Sequence, residues 1–210
     1  MSYPPFRILT WNIQGGKVDG EHAFQNRIEA IQQTFTDIEA DIFGLQEVIR
    51  SNFPPLKEVH QRHQFVPGEF LDWTREENEC LPLGWKSDRF SNHGTGTVWH
   101  SPTPHVQSRG WDAKYARGFS WALLSDHHAS QHLLVIVTHF DHLGIFSREQ
   151  SAQNLLNFLE GQPENLPVIL LGDFNCGPYR HRPQAPYNQR PYAMLLGAGL
   201  IDAYRVIDPS

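Results

Sequence analysis

The sequence predicts an α/β (α+β) chain in which two β-sheets form a sandwich flanked by helices. Three observations point there. Short apolar runs of strand length recur through the chain. Two long segments with helical periodicity are inserted between them, which suits helices layered on sheets. The 210 residues, 40% hydrophobic and 19% charged, suit one large domain spanning 1–210 better than two.

The elements follow in order. "FRILTWNI" reads as a first strand. "HAFQNRIEAIQQTFTDIEA" reads as a helix, because Phe24, Ile28, Ile31, Phe35 and Ile38 recur at alternating spacings of four and three. "DIFGLQEV" reads as a second strand. "NFPPLKEVHQRH" predicts a short helix near Pro55. Residues 64–110 mix short apolar runs with Gly and Pro and read as strands and loops. "GFSWALLSD" and "QHLLVIVTHFDH" predict two adjacent antiparallel strands joined around "DHHASQ". In "SREQSAQNLLNFLEGQ", Ser147 and Gln150 form a capping-box pattern, and Ala152, Leu155, Leu156 and Leu159 make the buried stripe. "PVILLGDFN" is another strand. Four prolines exclude regular structure over 178–191. "PYAMLLGAG" predicts a short helix, and "LIDAYRVIDPS" begins a further element.

Composition narrows the function. The formal net charge is −6, so the chain lacks the global basic footprint of a sequence-independent DNA binder. Two cysteines, Cys80 and Cys176, make neither a disulfide framework nor a zinc knuckle. No signal-peptide pattern opens the chain, and no apolar run reaches the ~20 residues that span a bilayer. A cytoplasmic location without membrane insertion is therefore expected.

The chemistry lies where apolar strands stop. "RILTW" stops at Asn12, "IFGLQ" at Glu47, "LLVIVT" at His139 and Asp141, and "VILLG" at Asp173 and Asn175. Period-2 geometry sends His139 and Asp141 to one side of their strand, and Asp173 and Asn175 likewise. If these ends gather on one rim, they supply carboxylates, amides and a histidine. Hard oxygen donors suit Mg²⁺ or Mn²⁺, which typically keeps positions for water and phosphate. Metal-assisted phosphoester hydrolysis uses all of these parts. Each residue alone also has an ordinary structural reading as a turn former, a solvated strand end or a half-buried histidine. The ordered combination is what carries the signal.

"LTWNI", "GLQEV", "THFDHLG" and "LLGDFNCGP" resemble, in order and spacing, the motifs of the endonuclease/exonuclease/phosphatase superfamily. The segment from "FSNHGTG" to "FSWALL" is similar to the middle of its small bacterial members. The resemblance implies a four-layered, deoxyribonuclease I-like α/β sandwich. It implies Glu47 as the principal metal ligand with Asn12 beside it, His139 as a phosphate-contacting or acid histidine, and Asp173 as the residue orienting or deprotonating the attacking water. It places Asn175 on the scissile phosphate and Arg117 where relatives set a phosphate-facing residue. The alternative for Arg117 is a surface salt bridge. Asp141 orients a histidine or sits behind the metal, and Arg27 is structural. Relatives continue into a closing strand and a Ser-Asp-His motif that this chain lacks, so a C-terminally incomplete domain is expected. Ser125-Asp126-His127 reads as a turn instead. The implied substrate is a phosphorylated small molecule or single-stranded nucleic acid. Two rivals are a non-catalytic binding module that keeps the fold, and a zinc hydrolase using His139 and His142. Those two histidines fall on opposite strand faces, which suits one metal poorly.

Overall fold

A computed structural model describes residues 5–16, 20–59, 63–69, 71, 78–177 and 189–208. The first sheet contains β1 (Ile8–Asn12), β2 (Ile42–Gln46), β4 (His63–Val66) and β6 (Leu83–Lys86), in the order β1-β2-β6-β4. The second contains β7 (Phe90–Trp99), β8 (Gly118–Asp126), β9 (Gln131–His139) and β10 (Val168–Asp173), in the order β10-β9-β8-β7. A short antiparallel pair joins β3 (Val48–Ile49) to β5 (Glu79–Cys80). β1 runs parallel to β2, and β10 runs parallel to β9.

Alternation along the strands builds the layers. Val135 and Val137 of β9 face inward with Leu124, Leu83, Trp85 and Ile42 to form the core between the sheets. Leu134 and Ile136, the intervening residues, face out against α3 (Ile145–Glu160) and α4 (Arg190–Gly197). On the other side, Phe43 and Leu45 of β2 meet Phe24, Ile31 and Phe35 of α1 (Phe24–Ile38) and Leu56 of α2 (Phe53–Val59). Helix, sheet, sheet and helix therefore stack as four layers, the architecture expected. Gly44 lets them approach closely. A Cβ there would lie 2.9 Å from Val137 Cβ and 3.1 Å from Leu171 Cδ1, so a larger residue would force the sheets apart.

Two local expectations need correction, the capping box and the irregularity of 178–191, while the reading of 64–110 as strands and loops holds. The capping box at Ser147 does not form: α3 starts at Ile145 and carries no side-chain cap of its own at Gly144. Asp112, from a distant loop, accepts from Phe146 N at 3.2 Å and Ser147 N at 2.6 Å instead. Ser147 Oγ donates back to Gly144 O. Within residues 64–110, β7 is a full ten-residue strand. A register shift between Asn92 and Gly94 breaks its alternation, and the Trp121 indole covers Gly94 and Gly96, so its sequence lacks an apolar stripe. Most of the proline-rich stretch lies outside the described residues. Its last proline, Pro191, occupies the first turn of α4, where a missing N–H costs nothing. Past α4, Asp202 caps a short α5 (Ala203–Ile207) by accepting from Tyr204 N and Arg205 N.

Candidate active site

The strand ends do gather. β1 and β2 end side by side in one sheet, β9 and β10 in the other, and the two pairs face each other across the sandwich. Asn12 joins them. Its Nδ2 donates to Glu47 Oε1 at 2.7 Å and to Asp173 Oδ2 at 3.0 Å. Its own Oδ1 is held by Gln14 N at 3.0 Å. One amide thus ties the carboxylates of both sheets.

Two of these residues sit in unusual backbone. Glu47 has φ +59° and Asn175 φ +45°, a region non-glycine residues enter infrequently and that clusters at functional sites. The bend at Glu47 is clamped by Gly15, whose N–H donates to Glu47 O at 3.0 Å. A side chain at Gly15 would overlap both that oxygen and the Asn52 amide, so this contact requires glycine. The amide of Asn175 is fixed by Nδ2 donating to Phe140 O at 2.9 Å, and its N–H donates to Asp173 Oδ1 at 3.0 Å.

His139 is buried, and Arg117 fixes the state of its ring. Arg117 NH1 lies 2.8 Å from Nδ1. A guanidinium only donates, so Nδ1 accepts and the ring proton resides on Nε2. That Nε2 lies 3.8 Å from Asp173 Oδ2 and faces Asn175 Nδ2, itself a donor, at 3.2 Å, so in this tautomer those two nitrogens share no hydrogen bond. Burial first, then the charges of Arg117 and His142, hold the imidazole well below its ordinary pKa. His139 is therefore a neutral ring offering an N–H toward the rim, which favours the phosphate-contacting role over that of a charged acid.

Arg117 does not face the open site. It is only 4% exposed, and the same NH1 donates to Glu79 Oε2 at 2.7 Å. It is neither a surface salt bridge nor phosphate-facing, but a buried bridge that sets the tautomer of His139. Glu79 is the residue sequence reading missed. It precedes an apolar run, whereas the others follow one. Because β5 runs antiparallel to β3, its beginning reaches the same rim where the other strands end. An acidic residue heading the run "CLPLGW" was the available signal.

Asp141 lies beyond the end of β9, so strand alternation no longer governs it. Its carboxylate accepts from the backbone N–H groups of Lys114, Tyr115, Leu143 and Gly144 at 2.7–3.2 Å. Those bonds outweigh the opposing effect of burial and keep its pKa below the usual value. It approaches Arg117 Nε at 3.9 Å and organises the loops around the site. His142 packs on Tyr115 with ring centroids 5.7 Å apart, and Nδ1 of His139 is taken by Arg117. Arg27 is structural, donating to the carbonyls of Ile13, Gln14 and His22. Asp126, within the Ser125-Asp126-His127 turn, is buried against Arg89 at 2.9 Å.

The donor set suits a hard divalent cation. Glu47 and Asp173 crowd two carboxylates around one amide, and burial first, with Glu79 and Asp173 adding, raises the Glu47 pKa. A cation there would relieve that crowding. Among the described residues no three His, Cys, Asp or Glu side chains form a metal cage. An ion that takes one or two carboxylates and completes its shell with water and phosphate needs none.

A four-layered sandwich whose facing strand ends present carboxylates, amides and a neutral histidine defines the deoxyribonuclease I-like hydrolases. The Endonuclease/Exonuclease/phosphatase family profile matches residues 9–195, and the chain belongs to that family. Among solved structures it is similar to the mannosyl-6-phosphatase of Bacteroides thetaiotaomicron VPI-5482, at 26% identity over 94% of this chain and 73% of that one, with a TM-score of 0.79. An endonuclease/exonuclease/phosphatase from Bacteroides vulgatus matches at 26% identity over 91% and 70% of the two chains, TM-score 0.79. The human Nocturnin catalytic domain shares the fold, with 22% identity, coverage of 97% and 73%, and a TM-score of 0.71. No curated protein matches the chain.

Proposed function

We propose that the protein is a Mg²⁺- or Mn²⁺-dependent phosphoesterase that hydrolyses a phosphorylated small molecule or single-stranded nucleic acid. The observation that carries this reading is the Asn12 amide bridging Glu47 and Asp173 across the two sheets. Glu47 would hold the ion, which supplies charge neutralisation and Lewis-acid polarisation at a phosphoryl oxygen, and Asn12, whose Nδ2 donates to both carboxylates while its Oδ1 accepts from Gln14 N, would position Glu47 rather than ligate. Asp173 is the base that takes the proton of the attacking water. His139 donates its Nε2–H to a phosphoryl oxygen, and Arg117 and Glu79 keep that proton in place. Asn175, fixed on Phe140 O, orients the same phosphate beside the imidazole. The resemblance to a sugar-phosphate phosphatase supports a small phosphorylated substrate. The acidic balance supports weak rather than tight duplex binding, because phosphate contacts need Lys and Arg. No helix among the described residues is long and apolar enough to cross a membrane.

The test is turnover of p-nitrophenyl phosphate and bis-p-nitrophenyl phosphate with Mn²⁺, for wild type and Asp173→Asn. Loss of a general base should lower kcat by about 10²- to 10⁴-fold. In parallel, Glu47→Ala should weaken Mn²⁺ binding in a calorimetric titration. Equal measurable rates in wild type and Asp173→Asn would remove Asp173 as the base, and no turnover by wild type would leave a binding module that keeps the fold.

A further inference from the structure

At the end of the second sheet opposite the reactive rim, three strands bring two imidazoles onto one hydroxyl. Ser125 Oγ lies 2.8 Å from His93 Nε2 and 3.0 Å from His132 Nδ1. The two rings stand edge to face with centroids 5.0 Å apart. Register produces this arrangement. Ser125 is the direct partner of His132 across β8 and β9. The register shift between Asn92 and Gly94 leaves His93 as the extra residue of β7, and a bulge re-aims the side chain of its extra residue. Ser125 lies seven residues along β8 from Gly118, the partner of His139. At ~3.3 Å per residue the cluster is about 23 Å from the reactive rim.

We propose that His93, Ser125 and His132 form a second metal site, one for a divalent transition ion of the copper, nickel or zinc type. Proton count supports it. One hydroxyl carries one proton, so with two ring nitrogens on it, one ring presents a bare lone pair. The other ring needs only to move its proton to its outer nitrogen, and both histidines are exposed. Distance supports it too. A metal–imidazole bond of about 2.0–2.1 Å puts each ring centre roughly 3.2 Å from the ion. For ligand angles between a right angle and the tetrahedral value, the two centres are then about 4.5–5.2 Å apart. The observed 5.0 Å falls in that interval, and because both nitrogens now close on Ser125 Oγ at 2.8 and 3.0 Å, the hydroxyl turns aside to admit the ion.

The donors also set the ion class. Two imidazoles and a hydroxyl, with no carboxylate, select against Mg²⁺, and Cu²⁺ binds such nitrogen sites most tightly among the divalent ions. The shell is two imidazoles, Ser125 and solvent, consistent with the absence of a three-donor His, Cys, Asp or Glu group among the described residues. His127 lies nearby, but its Nε2 is on Ser91 Oγ at 3.0 Å. A bound ion would cross-link β7, β8 and β9, leaving chemistry at the rim untouched.

The experiment uses Cu²⁺ alone as probe, titrated into the 210-residue chain with excess Mg²⁺ present to occupy the oxygen site at the rim. Wild type should bind Cu²⁺ with an electron paramagnetic resonance signal split by two imidazole nitrogens. Binding should weaken on acidification, because protons compete with the ion for the imidazole nitrogens. An outer partner of a ligand is worth about 10–100-fold in affinity, so His93→Ala and His132→Ala, which remove ligands, should each lose at least tenfold. His127→Ala should bind like wild type. Bound Cu²⁺ should raise the melting temperature of wild type and of His127→Ala only. The substitutions are at exposed positions, and circular dichroism checks their folding. Unchanged binding in His93→Ala and His132→Ala overturns the proposal, as does an equal loss in His127→Ala.

Discussion

Arg117 spends both hydrogens of one nitrogen on Glu79 and His139, and that pairing fixes which imidazole nitrogen faces the rim. Lysine carries the charge but not the planar fork, so it cannot hold both partners in one geometry. Arg117→Lys should lower kcat by about 10²-fold, the typical penalty of an ångström-scale misplacement, with KM little changed. Steady-state kinetics on the same phosphoester measures it. His100 makes a separate, pH-linked contribution. It is fully buried, its Nε2 meets Thr138 Oγ1 at 2.9 Å, and burial first, with Arg117 adding, brings its pKa down to about 3. The folded ring stays neutral where the unfolded ring, with its ordinary value near 6.5, takes a proton. Between about pH 6.5 and 3 the unfolded state binds more protons, so stability falls as pH falls through that window and is undiminished above it. The slope from one such group reaches at most ~1.4 kcal/mol per pH unit. His100→Gln should flatten the fall of melting temperature with acidification, read from thermal melts between pH 7.5 and 4.5. An unchanged slope would assign the effect to other groups, His139 among them.

At the scale of elements, α3 illustrates how a helix start is decided from outside. Its first turn lacks a cap of its own, and Asp112 supplies a carboxylate to the orphan N–H groups of Phe146 and Ser147. The same contact anchors the loop that delivers Lys114 and Tyr115 N–H groups to Asp141. Asp112→Ala should therefore destabilise the fold by about 0.5–2 kcal/mol, as cap removal does. Asp112→Asn should recover most of that, since an amide oxygen still accepts. Urea denaturation compares the three proteins. Full stability in Asp112→Ala would mean that solvent caps the helix equally well.

At the scale of the molecule, the surface is uneven. Ile201, Tyr204, Val206 and Ile207 are 64–87% exposed and lie together at α5 and the approach to it. Among the described residues β1 and β10 each have a strand partner on one side only, and Ile8 of β1 is exposed as well. Open edges and exposed apolar surface each favour association. The 210-residue chain should self-associate as concentration rises, and Val206→Lys with Ile207→Lys should suppress it. Sedimentation at several concentrations tests this, and a wild type that stays monomeric throughout would show that the patch is inert.

Much of this was legible in the residues themselves. Helical spacing located α1, alternation and apolar runs located β1, β2, β8, β9 and β10, and the polar residues after those runs named Asn12, Glu47, His139, Asp173 and Asn175. These signals are local, because the face a side chain occupies follows from the period of its own element. Tertiary structure decided the rest. The bulge in β7 erased its alternation, so its length depended on pairing with β8. The cap of α3 came from a residue thirty-five positions away. Asp141 turned out to bind loop amides because β9 had already ended. Glu79 entered the site because β5 runs backward along β3 and sets its first residue on the shared rim, where it meets Arg117. Sequence carries the period of an element and the chemistry at its end. Which ends meet, and which proton sits on which nitrogen, depends on strand direction and register between segments far apart in the chain.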